Sequence, residues 1–140
     1  MTPEGLKLLS EVSYEDKADV VALVSKLRGA GHEASLVAVV LSQAKLRRRA
    51  AAKFGEFASR MLFTEDALEQ ATRLRVAALH AGRFRDAGIR SVADLGCGIG
   101  TESLAMASIG INVDAFEIDE VTAAIAAYNL AGFDEATVHH

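Results

Sequence analysis

The stretch from Val92 to Ala107, VADLGCGIGTESLAMA, constrains the fold of this chain more than any other, because it joins a strand end, a glycine loop and a helix start. Ser91 to Leu95 is short and mostly apolar, as a buried parallel strand would be. Gly96, Gly98 and Gly100 then recur at every second position, which suits a tight turn at positive φ with no Cβ between backbone and ligand. From Thr101 to Ile109 a helical pattern resumes, and its first-turn N–H groups point back at the loop. This succession is the first βα unit of a doubly wound, Rossmann-like α/β sheet.

A dinucleotide loop reads G-x-G-x-x-G, but the third glycine counted from Gly96 falls on Thr101, and counted from Gly98 on Ser103. What stands here is D-x-G-x-G-x-G, with Asp94 two residues before the first glycine. A carboxylate there repels a pyrophosphate and suits a ligand carrying an ammonium group and no phosphate; S-adenosylmethionine is such a ligand. Ile111 to Phe116 reads as the next strand and ends in Glu117, 21 residues after Gly96. A carboxylate at that strand end can accept both hydroxyls of a ribose.

On Asp94, Gly96, Gly98, Gly100 and Glu117 the chain resembles the class I S-adenosylmethionine-dependent methyltransferases, whose first motif is an acid followed by G-x-G-x-G and whose second is an acid at the next strand end. The resemblance implies a cofactor site of Asp94, Gly96, Cys97, Gly98, Gly100 and Glu117, with Ile118 against the adenine. Phe63-Thr64 followed by Gln70-Ala71-Thr72 is similar to a bacterial group of methyltransferases with an N-terminal helical region and a THUMP-like domain beyond a core like that of trimethylguanosine synthase. By that likeness Phe63, Thr64 and Gln70 become candidate cofactor contacts, ordinary capping and packing being the alternative. A structural βα turn with surface acids is the alternative for the loop itself.

Charge divides the chain. All 15 Lys and Arg residues lie at or before Arg90, so the first 90 residues carry +4 and the last 50 carry −8. Two functional halves are implied. At 140 residues and 51% apolar composition the chain can bury a core, and its composition argues against disorder. It has no run of 18 apolar residues and no signal-peptide core near Met1, so a cytoplasmic protein with no membrane partner is expected. The single Cys97 forms no internal disulfide and lacks a basic neighbour in sequence to activate it.

Residues 1–60 read as a helical domain, 61–90 as a connecting helix leading into the core and 91–140 as a partial cofactor-binding domain. Leu6, Leu8, Leu9 and Val12 suggest a first helix. Ser13 as N-cap with Asp16 opens a second, with Val20, Val21, Val24 and Leu27 on its buried side and Gly29 and Gly31 as its stop. A third runs from about Glu33 to Phe54. On it Lys45, Arg48, Arg49 and Lys53, spaced by three and four, share one face that could grip RNA phosphates; a solvated face paired with acids elsewhere is the alternative. Met61-Leu62-Phe63-Thr64 predicts an apolar triplet and a Thr cap, then a long helix to about Asp86 with Leu68, Ala71, Leu74, Ala78 and Leu79 as its apolar stripe and Gly88 as its stop. Val121 to Ala131 reads as a helix and Ala136 to His140 as the start of a third strand.

A class I core needs about seven strands, and the D/N-P-P-Y/F motif that meets substrate in the resembling family is missing from a chain whose one proline is Pro3. The expectation is therefore an N-terminal part of a longer methyltransferase, inactive by itself, with an open edge on its first strand that could pair with another copy. No residue reads as a convincing general base, so the catalytic residues are unknown; no metal site is expected. His139 and His140 read as strand residues, as the start of a purification tag or, last, as a two-residue metal site. Two functions stand: methyl transfer from S-adenosylmethionine, most plausibly to RNA, or a helical RNA-binding or oligomerising module whose Rossmann segment is a non-catalytic scaffold.

Overall fold

In the computed structural model, residues 1–12 and 19–140 are described. The expected cap at Ser13 and Asp16 lies outside them. The chain falls into two compact units, 1–49 and 50–140.

The first unit begins with α1 (Pro3–Glu11). Thr2 caps it by accepting from the Gly5 N–H at 3.2 Å, and Pro3 occupies the first turn, where its missing N–H costs nothing. Leu8 and Leu9 are buried. A Cβ on Gly5 would stand 3.1 Å from Leu36 Cδ1, so glycine allows α1 to approach α3 (Ala34–Phe54) closely. Between them lies α2 (Asp19–Gly29), with Leu27 buried. It ends as expected: Gly31 at φ 91° donates to Arg28 O, and the His32 N–H reaches back to Leu27 O, a Schellman closure. Val21, expected inside, is 74% exposed, because Val20, Val24 and Leu27 already form the inward i, i+4, i+7 row.

The second unit takes over within α3, which continues through buried Ala50 and Phe54 into a 3-10 turn, Gly55–Arg60. Met61, Leu62 and Phe63 then run through the core, and Thr64 caps α4 (Glu65–Gln70) by accepting from the Ala67 N–H at 3.1 Å. The expected long helix does not continue. It breaks at 71–73, where Ala71 and Arg73 have ψ of 135° and 133°, and α5 (Leu74–Asp86) starts anew. A cation explains the break: Lys53 Nζ donates to the carbonyls of Leu68, Glu69 and Ala71 at 2.7, 2.7 and 2.9 Å. Those oxygens are the ones that a continuous helix would offer to the N–H groups of Thr72, Arg73 and Arg75. The new start also resets the helical phase. Ala77 and Ala81 face inward, whereas Ala78 is exposed and Leu79 is 64% exposed, against the expected stripe. Gly88, at φ 76°, ends α5 through bonds from Gly88 N to Arg85 O and from Ile89 N to Phe84 O.

The sheet follows: β1 (Ser91–Leu95), α6 (Thr101–Ala107), β2 (Asn112–Phe116), α7 (Glu120–Leu130) and β3 (Ala136–His139). All pairings are parallel, in the order β1-β2-β3, with Ser91 opposite Asn112 and Val113 opposite Ala136. Short parallel strands joined by helices are what this alternation of strand and helix patterns dictates. Val113 and Ala115 of β2 are buried while Asn112, Asp114 and Phe116 are exposed, so among the described residues one face of the sheet is covered, by α6 and α7. β1, expected to be buried, is the terminal strand among the described residues, and Leu95 at its end is 78% exposed. α5 packs on α6 and thereby places the segment 64–73 beside the carboxyl ends of the strands.

Candidate functional site

A cleft of about 610 Å³ opens at the carboxyl ends of β1 and β2. The crevice outside the strand ends is where open α/β sheets bind ligands. One wall is the glycine loop with Asp94, Gly96, Cys97, Gly98, Ile99 and Thr101; the second is the start of α7 with Glu117, Asp119, Val121 and Thr122; the third is the α4–α5 segment with Thr64, Asp66, Ala67, Gln70, Ala71 and Thr72.

The loop's shape is set by its glycines and by the neighbouring strand. Gly96, Gly98 and Gly100 sit at φ 81°, 58° and 85°. The N–H groups of Gly96 and Cys97 both donate to Phe116 O at 2.9 Å, so the loop prolongs the β1–β2 ladder. Cβ atoms added at Gly96 or Gly98 would meet nothing within 4 Å, which leaves bare backbone facing the cleft; one at Gly100 would lie 3.0 Å from Leu130 Cδ1. Glu117 links two walls: its Oε2 accepts from the Gly98 N–H at 3.0 Å and its Oε1 from the Asp119 N–H at 2.9 Å. Asp94 Oδ2 accepts from Ser103 Oγ at 2.6 Å. Asp119 caps α7; the Thr122 hydroxyl and N–H both donate to its Oδ1 and hold its carboxyl below the usual range.

Asn129 of α7 joins the segment before α4 to this loop. Its Oδ1 accepts from Leu62 N at 2.8 Å, and its Nδ2 donates to Leu62 O at 3.1 Å and to Ile99 O at 3.0 Å, all in buried surroundings. A buried amide satisfied on both ends in this way fixes its partners' geometry.

Electrostatically the cleft is one-sided. Asp66, Asp94, Glu102, Glu117 and Asp119 line it, and neither Lys nor Arg does. Cys97 feels this directly: burial first, then the Asp94 and Glu117 carboxylates, push its thiol up to about 11. A thiol so disfavoured as thiolate is a small loop residue and no nucleophile. The Thr101 hydroxyl, in a residue 4% exposed, has no hydrogen-bond partner among the described residues.

The structure brings Asp94, Gly96, Cys97, Gly98, Glu117, Thr64 and Gln70 to one cleft. Gly100 stands behind it as the turn into α6. Phe63 does not belong to the cleft: it is 1% exposed and packs on Phe54 with ring centroids 5.5 Å apart, because the strand-like run 61–63 points it into the core. Ile118, expected against an adenine, is 93% exposed and is not on the cleft wall; Val121, the second residue of α7, is on it, as is Ile99. Lys53, assigned to RNA phosphates, spends all three ammonium donors on carbonyls of its own chain. Lys45, Arg48 and Arg49 are exposed on α3. Sequence reasoning missed Asp66, Glu102 and Asp119, since an acid in the first turn of a helix already has a reason to be there.

Residues 1–50 match a domain family of unknown function, DUF8688. Two curated relatives, Rv3037c of Mycobacterium tuberculosis (strain ATCC 25618 / H37Rv) and MT3122 of strain CDC 1551 / Oshkosh, are each described as an uncharacterized S-adenosylmethionine-dependent methyltransferase; each is 45% identical over 91 residues, covering 61% of this chain and 25% of its own. The chain thus spans about a quarter of the length of the curated relatives it matches. A crystal structure from Porphyromonas gingivalis W83, provisionally described as a methyltransferase, superposes with a TM-score of 0.61 over 91% of this chain and 36% of that one, at 18% identity. That likeness is one of fold: helices followed by parallel α/β structure. No helix among the described residues is long and apolar enough to cross a membrane.

Proposed function

We propose that the cleft binds S-adenosylmethionine and that the chain carries the cofactor-binding part of a methyltransferase. The observation that supports this most is the glycine-walled, all-acidic cleft, which favours a ligand with net positive charge and disfavours a pyrophosphate. The donor set fits the group: Gly96 and Gly98 leave backbone bare to a ligand, Glu117 keeps lone pairs beyond its two backbone bonds for ribose hydroxyls, and the Thr101 hydroxyl still needs a partner. When bound, the cofactor supplies an activated methyl group. The chain's own task is positional: Asp94, anchored by Ser103, and Glu117, anchored by two N–H groups, present fixed charges that need no rearrangement on binding. Calorimetry with S-adenosylhomocysteine and with NAD tests the reading. In the complete protein the homologue should bind and NAD should not compete; tighter binding of NAD overturns it.

For the acceptor we propose RNA, supported by the +4 charge of the first 90 residues and the exposed Lys45, Arg48 and Arg49. RNA binding should weaken steeply with salt, and neutralising these three residues should flatten the log–log slope by about 0.7 to 0.9 per lost contact. Binding that ignores salt would remove this acceptor from consideration.

Taken alone, the 140 residues should bind the cofactor more weakly than micromolar and transfer no methyl group. The support is the sheet order, in which β1 is terminal and the crevice has a strand on one side only. Micromolar binding by a monomer of this chain would show instead that the half-crevice suffices.

A further inference from the structure

Lys53 is the lysine that the basic-face pattern leaves unexplained. It is half-buried at the end of α3, and its three donors meet three carbonyls, those of Leu68, Glu69 and Ala71, at 2.7, 2.7 and 2.9 Å. An ammonium has three N–H bonds, so its hydrogen-bonding capacity is filled in one geometry. Its acceptors are the unsatisfied carbonyl end of α4, where a cation complements both the orphan oxygens and the helix dipole.

α4 itself has only six residues, too few to hold a helix without outside contacts. Yet Thr64, Asp66, Ala67 and Gln70 on it, with Ala71 and Thr72 after it, make one whole wall of the cleft. At the start of this strap, Leu62 is held by Asn129. At its far end the holding group is Lys53.

We propose that Lys53 is a positioning residue of the cleft: its ammonium ends α4, turns the chain at 71–73 and keeps 64–72 in place as a binding wall. Lys53 touches no cleft ligand itself, for it is not on the lining. It acts through the backbone of the strap, and its charge serves a purpose distinct from that of Lys45, Arg48 and Arg49. Its effect on affinity rests on the reading of the cleft as an S-adenosylmethionine site; its effect on the strap does not.

The experiment compares the full chain with Lys53→Met and Lys53→Arg by residue-resolved hydrogen exchange without ligand, then by S-adenosylhomocysteine titration followed by NMR. In Lys53→Met, exchange at Leu68 to Ala71 should rise by roughly tenfold or more, while the β2 amides and those of Gly96 and Cys97 keep their protection. Lys53→Arg, still a cationic donor, should recover part of the loss, and affinity should fall and recover in parallel. Unchanged strap exchange in Lys53→Met overturns the proposal. So does loss of protection spread evenly through the sheet, or failure of Lys53→Met to fold together with a Lys53→Arg chain in which strap and sheet loosen alike, because Lys53 would then be a general stabiliser. If the unaltered chain binds the homologue too weakly to titrate, as a half-crevice would, the ligand reading is left to the complete protein and the exchange comparison alone decides the role of Lys53.

Discussion

Asp94 and Ser103 are joined by a hydrogen bond of 2.6 Å, the hydroxyl donating to Oδ2, so the acid that closes β1 is fastened to the third residue of α6. Ser103 is fully buried, and its hydroxyl has this one acceptor within reach as its evident purpose. Ser103→Ala should destabilise the chain by about 1–3 kcal/mol, the cost of stripping a partner from a half-buried carboxylate. Chemical denaturation measures it; a change within experimental error would mean that water replaces the hydroxyl without loss.

Glu117 bridges Gly98 and Asp119. Glu117→Ala removes both charge-assisted bonds, each worth roughly 1.5–3 kcal/mol, so it should loosen the loop and weaken homologue binding at least about tenfold. Glu117→Gln keeps one acceptor and should fall between. Calorimetry that ranks Gln below Ala contradicts this geometry.

Cys97 provides a pH signature. With its thiol moved from the ordinary 9.0 to about 11, alkylation by iodoacetamide should stay slow at pH 8 and 9 and reach its midpoint near 11. A pKa raised by folding means that the protonated thiol is favoured in the folded chain: its contribution to stability is whole below pH 9 and is lost as pH climbs through 11. Asp94→Asn should lower the midpoint, since that carboxylate is the main cause after burial.

Gly100→Ala and Gly98→Ala should separate packing from conformation. Both place a side chain at positive φ, a cost of about 1–3 kcal/mol, but only the Gly100 substitution also drives a Cβ against Leu130. Thermal melts should therefore rank Gly100→Ala clearly lower, while Gly98→Ala shows its larger deficit in ligand binding.

Asn129→Leu should be the most damaging single change in the second unit. It strands Leu62 N and O and Ile99 O in buried surroundings, each at about 1–3 kcal/mol. Asn129→Asp keeps the acceptor for Leu62 N but sets a carboxylate oxygen against Leu62 O and Ile99 O, so its denaturation midpoint should also lie well below wild type.

What could be read from the sequence was whatever depended on near neighbours. Strand β1, the caps at Thr64 and Gly88, and the acid-then-glycine loop each carry their cause within a few residues, as positive φ or an orphan N–H does. The break at 71–73 has its cause at Lys53, 15 to 18 residues earlier, and no periodicity count reports a cation arriving from another helix. The same blindness affected the cleft. Asp66, Glu102 and Asp119 each suit a helix start locally, and only the fold reveals that they face one cavity. Phe63 carries two readings in sequence because a residue flanking a cap looks the same whether it turns toward ligand or core, and the fold turns it to the core. Asn129 left a usable signal: an amide between Tyr128 and Leu130 in an alanine-rich helix needs partners, and buried amides find them.

The two ends of the strap differ in what must break for it to lift. Near Leu62 a buried amide holds the chain with two bonds and ties it by a third to Ile99 O, whereas past Leu68 a half-buried ammonium holds three carbonyls. Water can solvate the second attachment as it parts more readily than the first, so any opening of the wall should start at 68–72. A ligand seated there should then exchange with solvent past Gln70 and Thr72.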